Sequence, residues 1–292
     1  MRDFKALWSE YACNLNDDQV KEDVSTLLVE KANENKTVEV YKLCFNCIDL
    51  TSLGTTDGPA TIEAMVKKVN VFPAKYPDVP SVAAICVYPV LANVVKDKLQ
   101  LPLGIAAVSA GFPTSQTFLE VKVAETAMAV SDGASEIDVV ISVGKFLEED
   151  FEMVYEELAE IKSACHGAHL KVILETGALV SAENIKKASV IAMVAGADFI
   201  KTSTGKMSPA ATVEAAYVMC TAIKEFYQKT GEKVGFKPAG GIVTTEDAVN
   251  YYTIVKEILG EEWLNNKLFR IGASRLANSL LTDISGQTVA YF

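Results

Sequence analysis

The sequence predicts a closed (β/α)8 barrel with an N-terminal helical extension, and three observations support this fold class. The chain has 292 residues, which suits one barrel of about 250 residues with a modest appendage. Half of the residues are apolar and 22% are charged, so the chain can bury a large core. From residue 43 onward, eight short β-rich segments alternate with longer helical patterns, which is typical of parallel βαβ units.

The first 42 residues precede the first predicted strand, and their apolar spacing predicts helices on either side of the polar segment Asn14–Asp18. We expect this extension to pack against the bottom or side of the barrel as structural cover. The predicted division is therefore an extension over residues 1–42 and a catalytic barrel over residues 43–292. The apolar positions of the extension are Leu7, Tyr11, Val20, Val24, Leu27, Leu28 and Ala32.

The barrel elements follow from short β-rich runs separated by apolar residues at three- and four-residue spacing. The predicted strands are Leu43–Asp49, Val82–Tyr88, Gly104–Ser109, Glu136–Ser142, Lys171–Glu175, Asp198–Thr202, Val234–Lys237 and Leu268–Gly272. The clearest predicted helices are Gln116–Val130, Leu147–Ala164, Ser181–Val194 and Pro209–Gln228.

A doubly wound open sheet is the competing fold, and the faces of the strands favour the barrel over it. In the fourth strand, Ile137 and Val139 alternate with Glu136 and Asp138. The fifth and seventh strands show the same division into an apolar face and a charged face. An open sheet covered by helices on both sides needs two apolar faces, whereas a barrel can gather the charged faces in its interior.

The charge and the composition argue against several classes of partner. The net charge of −11 repels polyanions, so neither nucleic acid nor an anionic membrane is an expected partner. The uncharged stretches Val79–Val95 and Leu99–Leu119 are interrupted by prolines, and they read better as buried strands and turns than as membrane spans. The segment Met1–Lys5 is charged and begins no apolar signal region, so we expect a cytoplasmic protein.

The cysteines and histidines give weak indications of redox or metal chemistry. Cys44 and Cys47 have the C-x-x-C spacing of a redox pair, but on a strand their side chains would point to opposite faces. Cys165, His166 and His169 resemble a ligand cluster, yet they fall in the loop before the fifth strand, remote from the expected site. We therefore expect reduced thiols and no metal or other cofactor.

A lysine ends each of two successive strands, Lys201 on the sixth and Lys237 on the seventh. Neighbouring strands lie about 4.8 Å apart, so the two ammonium groups are expected to be close. Two such charges about 4 Å apart repel by about 4 kcal/mol at an effective dielectric constant near 20, which lowers a lysine pKa by about three units. Lys201 is thus a candidate amine nucleophile. The alternative, an ion network with interior acids such as Glu136 and Glu175, stays open.

Two carboxylates and three glycine-containing segments complete the candidate site. Asp138 faces inward from the fourth strand and Asp49 ends the first, so either can move protons through water or pair with the lysines. The segments Lys201–Lys206, Gly240–Gly241 and Gly272–Ser274 follow barrel strands, where backbone N–H groups and a helix N-terminus can bind an anion. A phosphate site after the seventh and eighth strands is frequent in barrels of this class.

Five segments resemble, in chain order, the motifs of the deoxyribose-phosphate aldolase family. The resemblance extends from about Cys47 to Leu281 and implies a (β/α)8 barrel. It also implies a metal-free class I aldolase whose substrates are a phosphosugar and aldehydes: reversible cleavage of 2-deoxy-D-ribose 5-phosphate to acetaldehyde and D-glyceraldehyde 3-phosphate. The segments are Glu136–Val140, Lys171–Gly177, Phe199–Gly205, Val234–Gly241 and Arg270–Ser274.

By motif position, the resemblance assigns roles to individual residues. Lys201 matches the Schiff-base lysine, Lys237 the lysine that lowers its pKa, and Asp138 the aspartate of a water-linked proton relay. Further positions would line the substrate pocket or bind the phosphate. The pocket positions are Asp49, Thr51 and Cys86, and the phosphate positions are Gly205, Lys206, Gly240, Gly241 and Ser274.

Three departures from the family pattern leave other functions open. Arg275 stands where many relatives have a second serine, and Pro238 removes one backbone donor. Tyr291 is displaced by one residue from the terminal tyrosine that reaches the site in some relatives. The alternatives are another Schiff-base phosphosugar aldolase, or a barrel that mainly binds a protein partner. A homo-oligomer is also possible.

Overall fold

The computed structural model describes residues 3–292, and its centre is one sheet of eight parallel strands. The strands follow each other in chain order around the sheet, and β1 pairs with both β2 and β8. Their bounds are β1 Ile48–Thr51, β2 Ala84–Val87, β3 Gly104–Ser109, β4 Glu136–Val140, β5 His169–Ile173, β6 Phe199–Lys201, β7 Gly235–Lys237 and β8 Ile271–Ala273.

The sheet closes on itself between β7 and β8. Parallel bridges join Phe236 to Phe269 and Ala239 to Gly272, and the Arg270 N–H donates to the carbonyl of Phe236 at 3.0 Å. An open doubly wound sheet would have two free edges at this point. The predicted (β/α)8 barrel is therefore confirmed.

Helices follow each strand and cover the outside of the barrel. Three of them, α1 to α3, precede β1, and short 3₁₀ turns lie at Ala32–Asn35, Pro89–Leu91 and Glu261–Trp263. The helices are α1 Phe4–Glu10, α2 Asp17–Lys31, α3 Val38–Asn46, α4 Pro59–Lys75, α5 Ala92–Lys98, α6 Leu119–Ser131, α7 Val143–Leu147, α8 Phe151–Ala164, α9 Thr176–Leu179, α10 Ala182–Val194, α11 Val213–Thr230, α12 Thr245–Leu259 and α13 Leu276–Ser285.

The predicted division of strand faces is also confirmed. Ile137 and Val139 of β4 join the apolar core between the sheet and the helices. Glu136 and Asp138 of the same strand point into the barrel, where they meet Lys171 of β5. Successive side chains of a strand point to opposite faces, so this alternation delivers charged groups to the interior.

The first predicted strand is wrong over much of its length. Residues 43–46 of Leu43–Asp49 belong to α3, which begins after Thr37, whose hydroxyl accepts the N–H of Val40 at 3.3 Å. The apolar run thus joins the end of a helix to a short strand, and periodicity cannot separate the two in so short a run. The predicted division between residues 42 and 43 falls inside α3, and Cys44 lies on a helix rather than on a strand.

Most other predicted elements begin or end within a few residues of the observed ones, and two further differences affect the description of the chain. The predicted helix Leu147–Ala164 is observed as α8 from Phe151 onward, while Leu147 is the last residue of α7, and Glu149 between the two helices has a positive φ of 62°. His169 is the first residue of β5 instead of a loop residue. The Cys44 and Cys47 thiols are buried and free, as are those of the other four cysteines.

The extension packs along the side of the barrel. Helix α2 contacts α10, α11 and α12, and α3 contacts α12 and α13. Near the mouth, the carboxylate of Asp17 accepts the N–H of Ala182, the first residue of α10, at 2.7 Å. No helix within residues 3–292 has the length and apolar character needed to cross a membrane.

Candidate active site

Lys201 and Lys237 lie side by side at the ends of β6 and β7. They are direct partners in the register of the two strands. Each ammonium nitrogen lies 2.7 Å from the same oxygen, Oδ2 of Asp138. The two amines therefore share one compartment, with the carboxylate of β4 between them.

A second group of charges lies deeper in the barrel. The Asp49 carboxylate accepts from Lys237, and also from Lys171 Nζ and Arg270 Nη1 at 2.7 Å each. Glu136 accepts from both nitrogens of the Arg270 fork, at 3.0 and 2.8 Å, and pairs with Lys171 at 2.5 Å. These side chains are buried, so the site has a charged floor in place of an apolar one.

The two lysines have pKa values shifted in opposite directions. Burial lowers the pKa of Lys201, and repulsion by Lys237 adds to this, although Asp138 opposes it. Burial also disfavours the Lys237 ammonium, but Asp138 and Asp49 outweigh it and raise the pKa of Lys237. The lowered pKa expected for Lys201 agrees with the structure. Burial is the larger of the two effects that lower it, and repulsion by the neighbouring Lys237 is the smaller.

The carboxylates between the lysines stay ionised. Burial would raise the pKa of Asp138, but Lys171, Lys201 and Lys237 outweigh it and lower that pKa below its ordinary value. The cations around Asp49 lower its pKa in the same way. The site can therefore present a neutral amine beside a fixed ammonium and two carboxylates.

A cleft of about 350 Å³ opens above Lys201 at the carboxyl ends of the strands. Lys201 is 3% exposed and lines it, whereas Lys237 is fully buried. Three glycines of the lining have positive φ: 75° at Gly205, 86° at Gly240 and 82° at Gly241. Within the described residues, their backbone N–H groups have no protein acceptor. Such donors can bind an anion.

The loop after β6 is held by the carboxylate of Glu175, which the ion-network alternative had paired with the lysines. Glu175 has a positive φ of 55°, and its side chain accepts the N–H of Thr204 at 3.2 Å and the hydroxyl of Thr204 at 2.5 Å. The Thr204 hydroxyl in turn accepts the N–H of Lys206 at 3.0 Å. Glu175 therefore orients the loop and does not pair with a lysine.

The comparisons with known proteins agree with this geometry. A family model described as DeoC/LacD family aldolase matches residues 50–256. A protein of Caenorhabditis elegans is 44% identical over 281 residues, which are 94% of this chain and 91% of the relative. Human deoxyribose-phosphate aldolase is 45% identical over 256 residues, 82% of this chain and 78% of the relative. The chain belongs to the DeoC/LacD aldolase family. It is accordingly an aldolase, a carbon–carbon lyase.

Solved structures share the fold of this aldolase. "QR15, an Aldolase" has 29% identity and a TM-score of 0.66, and the match covers 82% of this chain and 96% of the other. The tetrameric deoxyribose phosphate aldolase from Aeropyrum pernix has 23% identity and a TM-score of 0.65. That match covers 89% of this chain and 97% of the other. The second likeness supports the barrel fold alone.

The structure divides the predicted site residues of the aldolase between the cleft and its floor. Asp49 and Cys86, which were expected on the pocket lining, lie beneath it with Asp138 and Lys237. The reason is that β1 continues to Thr51, which places Asp49 one layer deeper in the barrel. The residues that line the cleft are Thr51, Lys201, Gly205, Lys206, Gly240, Gly241 and Ser274.

The three departures from the family pattern also have definite positions. Arg275 is exposed and lines the cleft. Lys206 lines the same cleft, and its ammonium donates to the carbonyl of Leu53. Pro238 uses its carbonyl to accept the N–H of Gly272 at 2.9 Å. The Tyr291 hydroxyl donates to the carbonyl of Lys68 at 2.7 Å, so its ring packs against α4 and does not line the cleft.

Sequence reasoning named some members of the floor and missed others. Alternation placed Lys171 inside the barrel, but nothing in a single sequence showed that Arg270 would reach Glu136 and Asp49. Within residues 3–292, no group of three or more His, Cys, Asp and Glu side chains is arranged to hold a metal ion. Cys165, His166 and His169 form no such group.

Proposed function

We propose that this aldolase reversibly cleaves 2-deoxy-D-ribose 5-phosphate to acetaldehyde and D-glyceraldehyde 3-phosphate through a Schiff base on Lys201. One observation carries the proposal: a buried lysine with a lowered pKa shares a carboxylate with a second, protonated lysine beneath a glycine-rich cleft. The name of the human relative supports the choice of substrate. An uncharged amine is what attack on an aldehyde requires.

The reaction divides into steps that these residues can perform. The Lys201 amine adds to the aldehyde carbon C1, and loss of water from the carbinolamine leaves a protonated imine. The C3 hydroxyl then loses its proton, the C2–C3 bond breaks, and its electrons move into the imine to form an enamine. D-Glyceraldehyde 3-phosphate departs. Protonation of the enamine at C2 and hydrolysis release acetaldehyde and free the amine.

Asp138 is the group best placed to move these protons through a water molecule. Its carboxylate contacts the Lys201 nitrogen and is kept ionised by the surrounding cations. The ammonium of Lys237 lies next to the reacting nitrogen, and Asp138, followed by Asp49, raises the pKa of Lys237 against the effect of burial. In this proposal Asp49 acts as a counter-ion and does not touch the substrate.

The substrate phosphate occupies the far part of the cleft. Gly205, Gly240 and Gly241, whose N–H groups have no protein acceptor within residues 3–292, line this region together with Lys206. Ser274 and Arg275 precede α13, whose N-terminal N–H groups add a partial positive charge. These local donors explain how a protein of net charge −11 can bind an anion.

Trapping tests the Schiff base directly. The folded protein is incubated with acetaldehyde and borohydride, and its peptides are analysed by mass spectrometry. We expect a reduced ethyl adduct on Lys201 and none on Lys233, a surface lysine that pairs with Glu262. The absence of an adduct on Lys201 in folded protein would end the proposal. Cleavage of a longer ketose phosphate, without cleavage of deoxyribose 5-phosphate, would favour a different aldolase of the Schiff-base class.

Substitution of Gly240 by alanine tests the phosphate subsite. A Cβ at this position would lie 2.7 Å from the Cβ of Ala210 and 2.9 Å from the Cα of Gly205, on a backbone with positive φ. We expect the KM for deoxyribose 5-phosphate to rise about tenfold, a loss of about 1.4 kcal/mol of binding. Trapping with acetaldehyde should be unchanged, since acetaldehyde carries no phosphate.

The matched control is Gly231→Ala. Gly231 has a φ of 75° at the end of α11, and a Cβ there meets no atom within 4 Å. It therefore carries the same kind of backbone strain without a contact in the cleft. An equal rise in KM for both variants would show that the effect is not specific to the phosphate subsite.

The remaining expectations stay predictions. We propose that the helices before β1 are structural cover, that the protein is cytoplasmic and that it binds no nucleic acid. A homo-oligomer is expected by comparison with the Aeropyrum pernix relative, and light scattering of the purified protein measures it.

A further inference from the structure

Seven charged side chains form one continuous set of ion pairs inside the barrel, counted over residues 3–292. All are nine-tenths or more buried. Ion pairs connect each member to at least one other, so they behave as one electrostatic unit. The carboxylates are Asp49, Glu136 and Asp138, and the cations are Lys171, Lys201, Lys237 and Arg270.

The numbers of positive and negative groups in this set are unequal. If every group were ionised, four cations would face three carboxylates and the buried set would carry a net charge of +1. An uncompensated charge in a medium of low dielectric constant is costly, so loss of one proton is favoured. Arg270 cannot supply that proton, because a guanidinium stays protonated in proteins. The proton whose loss is favoured therefore belongs to one of the three lysines.

The contacts decide which lysine is neutral. Lys171 has three carboxylates within reach: Asp49 at 2.7 Å, Glu136 at 2.5 Å and Asp138 at 3.5 Å. Lys237 pairs with two, Asp49 and Asp138. Lys201 pairs with Asp138 alone, at 2.7 Å, and it is the lysine that lines the cleft. Lys201 therefore loses the least attraction on giving up its proton, and water in the cleft can accept it.

We propose that Arg270 and Glu136, which touch neither Lys201 nor the cleft, are positioning residues that decide whether Lys201 is a free amine. Arg270 is the fourth cation of the set, so a protonated Lys201 gives the set a net positive charge. Glu136 is the third carboxylate, and it limits that net charge to +1. This inference rests on the proposed role of Lys201 as the Schiff-base lysine. It extends the control of the Lys201 protonation state from the adjacent Lys237 to all the charged residues of the barrel floor.

The other ionisable groups around Lys201 do not change the count. The Cys86 thiol of β2 is neutral, because burial raises its pKa. Glu175, at the end of β5, is held by Thr204 through two hydrogen bonds. On the outer face of β6, Lys186 of α10 pairs with Glu225 of α11 at 2.8 Å. Lys206 and Arg275 line the same cleft as Lys201, but the Lys206 ammonium donates to the carbonyl of Leu53. Within residues 3–292, neither of these cations forms an ion pair with the buried set. The balance of buried charges is thus set by the seven side chains.

The test uses two substitutions that should act in opposite directions. Arg270→Met removes a cation, so Lys201 should keep its proton to higher pH. Glu136→Gln removes a carboxylate, so Lys201 should lose its proton at lower pH. The reactivity of Lys201 toward acetic anhydride, normalised to a reference amine, is followed against pH by mass spectrometry. We expect the midpoint to rise by about one pH unit in the first variant and to fall by a similar amount in the second.

The double variant and Arg270→Lys serve as controls. Each restores the balance of charges, so each should bring the midpoint back near that of the unmodified protein. Midpoints that stay in place in both single variants, or move in the same direction, would overturn the proposal. Should Arg270→Met fail to fold, the downward shift in Glu136→Gln and the unshifted Arg270→Lys still decide it.

The labelling experiment separates this inference from the proposed function. It uses no sugar substrate, so the midpoints report the charge balance whether or not the protein cleaves deoxyribose 5-phosphate. The wild-type turnover of deoxyribose 5-phosphate tests the function by itself. In Arg270→Met, turnover at neutral pH should fall about tenfold and recover toward alkaline pH. A purely structural defect would lower turnover equally at all pH values.

Discussion

Replacement of Lys201 by arginine is expected to abolish cleavage of deoxyribose 5-phosphate, with a loss of at least about 10⁴-fold in kcat. Arginine keeps the positive charge and a similar length, so its ion pair with Asp138 can form in place of the lysine pair seen here. A guanidinium does not deprotonate in proteins and cannot form the imine. Turnover is measured by coupling D-glyceraldehyde 3-phosphate production to its reduction.

The same variant should form no reduced adduct with acetaldehyde at any lysine of the cleft. Lys233→Arg is the control, because Lys233 lies on the surface beside Glu262 and its replacement should leave turnover unchanged. If Lys201→Arg kept more than a hundredth of the original kcat, covalent catalysis by Lys201 would have to be abandoned.

Replacement of Lys237 by leucine is expected to lower kcat/KM at neutral pH by about 100-fold. Two effects act in the same direction. The variant loses the cation that repels a proton on Lys201, and it leaves Asp49 and Asp138 with one counter-ion fewer. Both changes stabilise the Lys201 ammonium and raise its pKa. The amine is then mostly protonated at neutral pH, and each further unit of pKa costs about tenfold in rate.

The pH profile identifies the cause of that loss. In the wild-type enzyme we expect the acid limb of kcat/KM against pH to reflect protonation of Lys201, whose pKa lies below its ordinary value. In Lys237→Leu this limb should move to higher pH, and much of the activity should return in alkaline solution. Lys237→Arg, which keeps the charge, should shift the limb far less. An unchanged profile with a low kcat would instead assign Lys237 a direct part in proton transfer.

The two variants together separate the layers of the site. Lys201 lies at the base of the cleft, whereas Lys237 is fully buried. In the proposed mechanism Lys201 touches the substrate and Lys237 acts through its charge. Loss of the Lys201 amine should remove the reaction, and loss of the Lys237 charge should shift its pH dependence. The charged floor that includes Lys171 and Arg270 extends this second kind of control to residues remote from the substrate.

The sequence by itself determined the barrel fold and placed the reactive residues at the carboxyl ends of its strands. Alternation along β4 placed Glu136 and Asp138 inside, because side chains of a strand change face at every residue. Lys201 and Lys237 end successive parallel strands, so their proximity followed from strand spacing alone. Glycine-containing segments after the strands located the cleft in the same way. Strand alternation, strand-end residues and glycine-containing loops are local patterns that recur in each βα unit, so a single sequence shows them.

Only the tertiary structure decided which charges meet. The sequence left open whether the two lysines form a reactive pair or an ion network with acids such as Glu136 and Glu175. In the structure both lysines contact Asp138, whereas Glu175 binds Thr204, and the outcome depended on depth within the barrel. Arg270 reaches Glu136 across 134 residues of chain because β8 closes against β1 and β7. Spacing in sequence carries no information on such contacts. The choice of the lysine that loses its proton depends on the sum of all these pairs, which exists only once the barrel is closed.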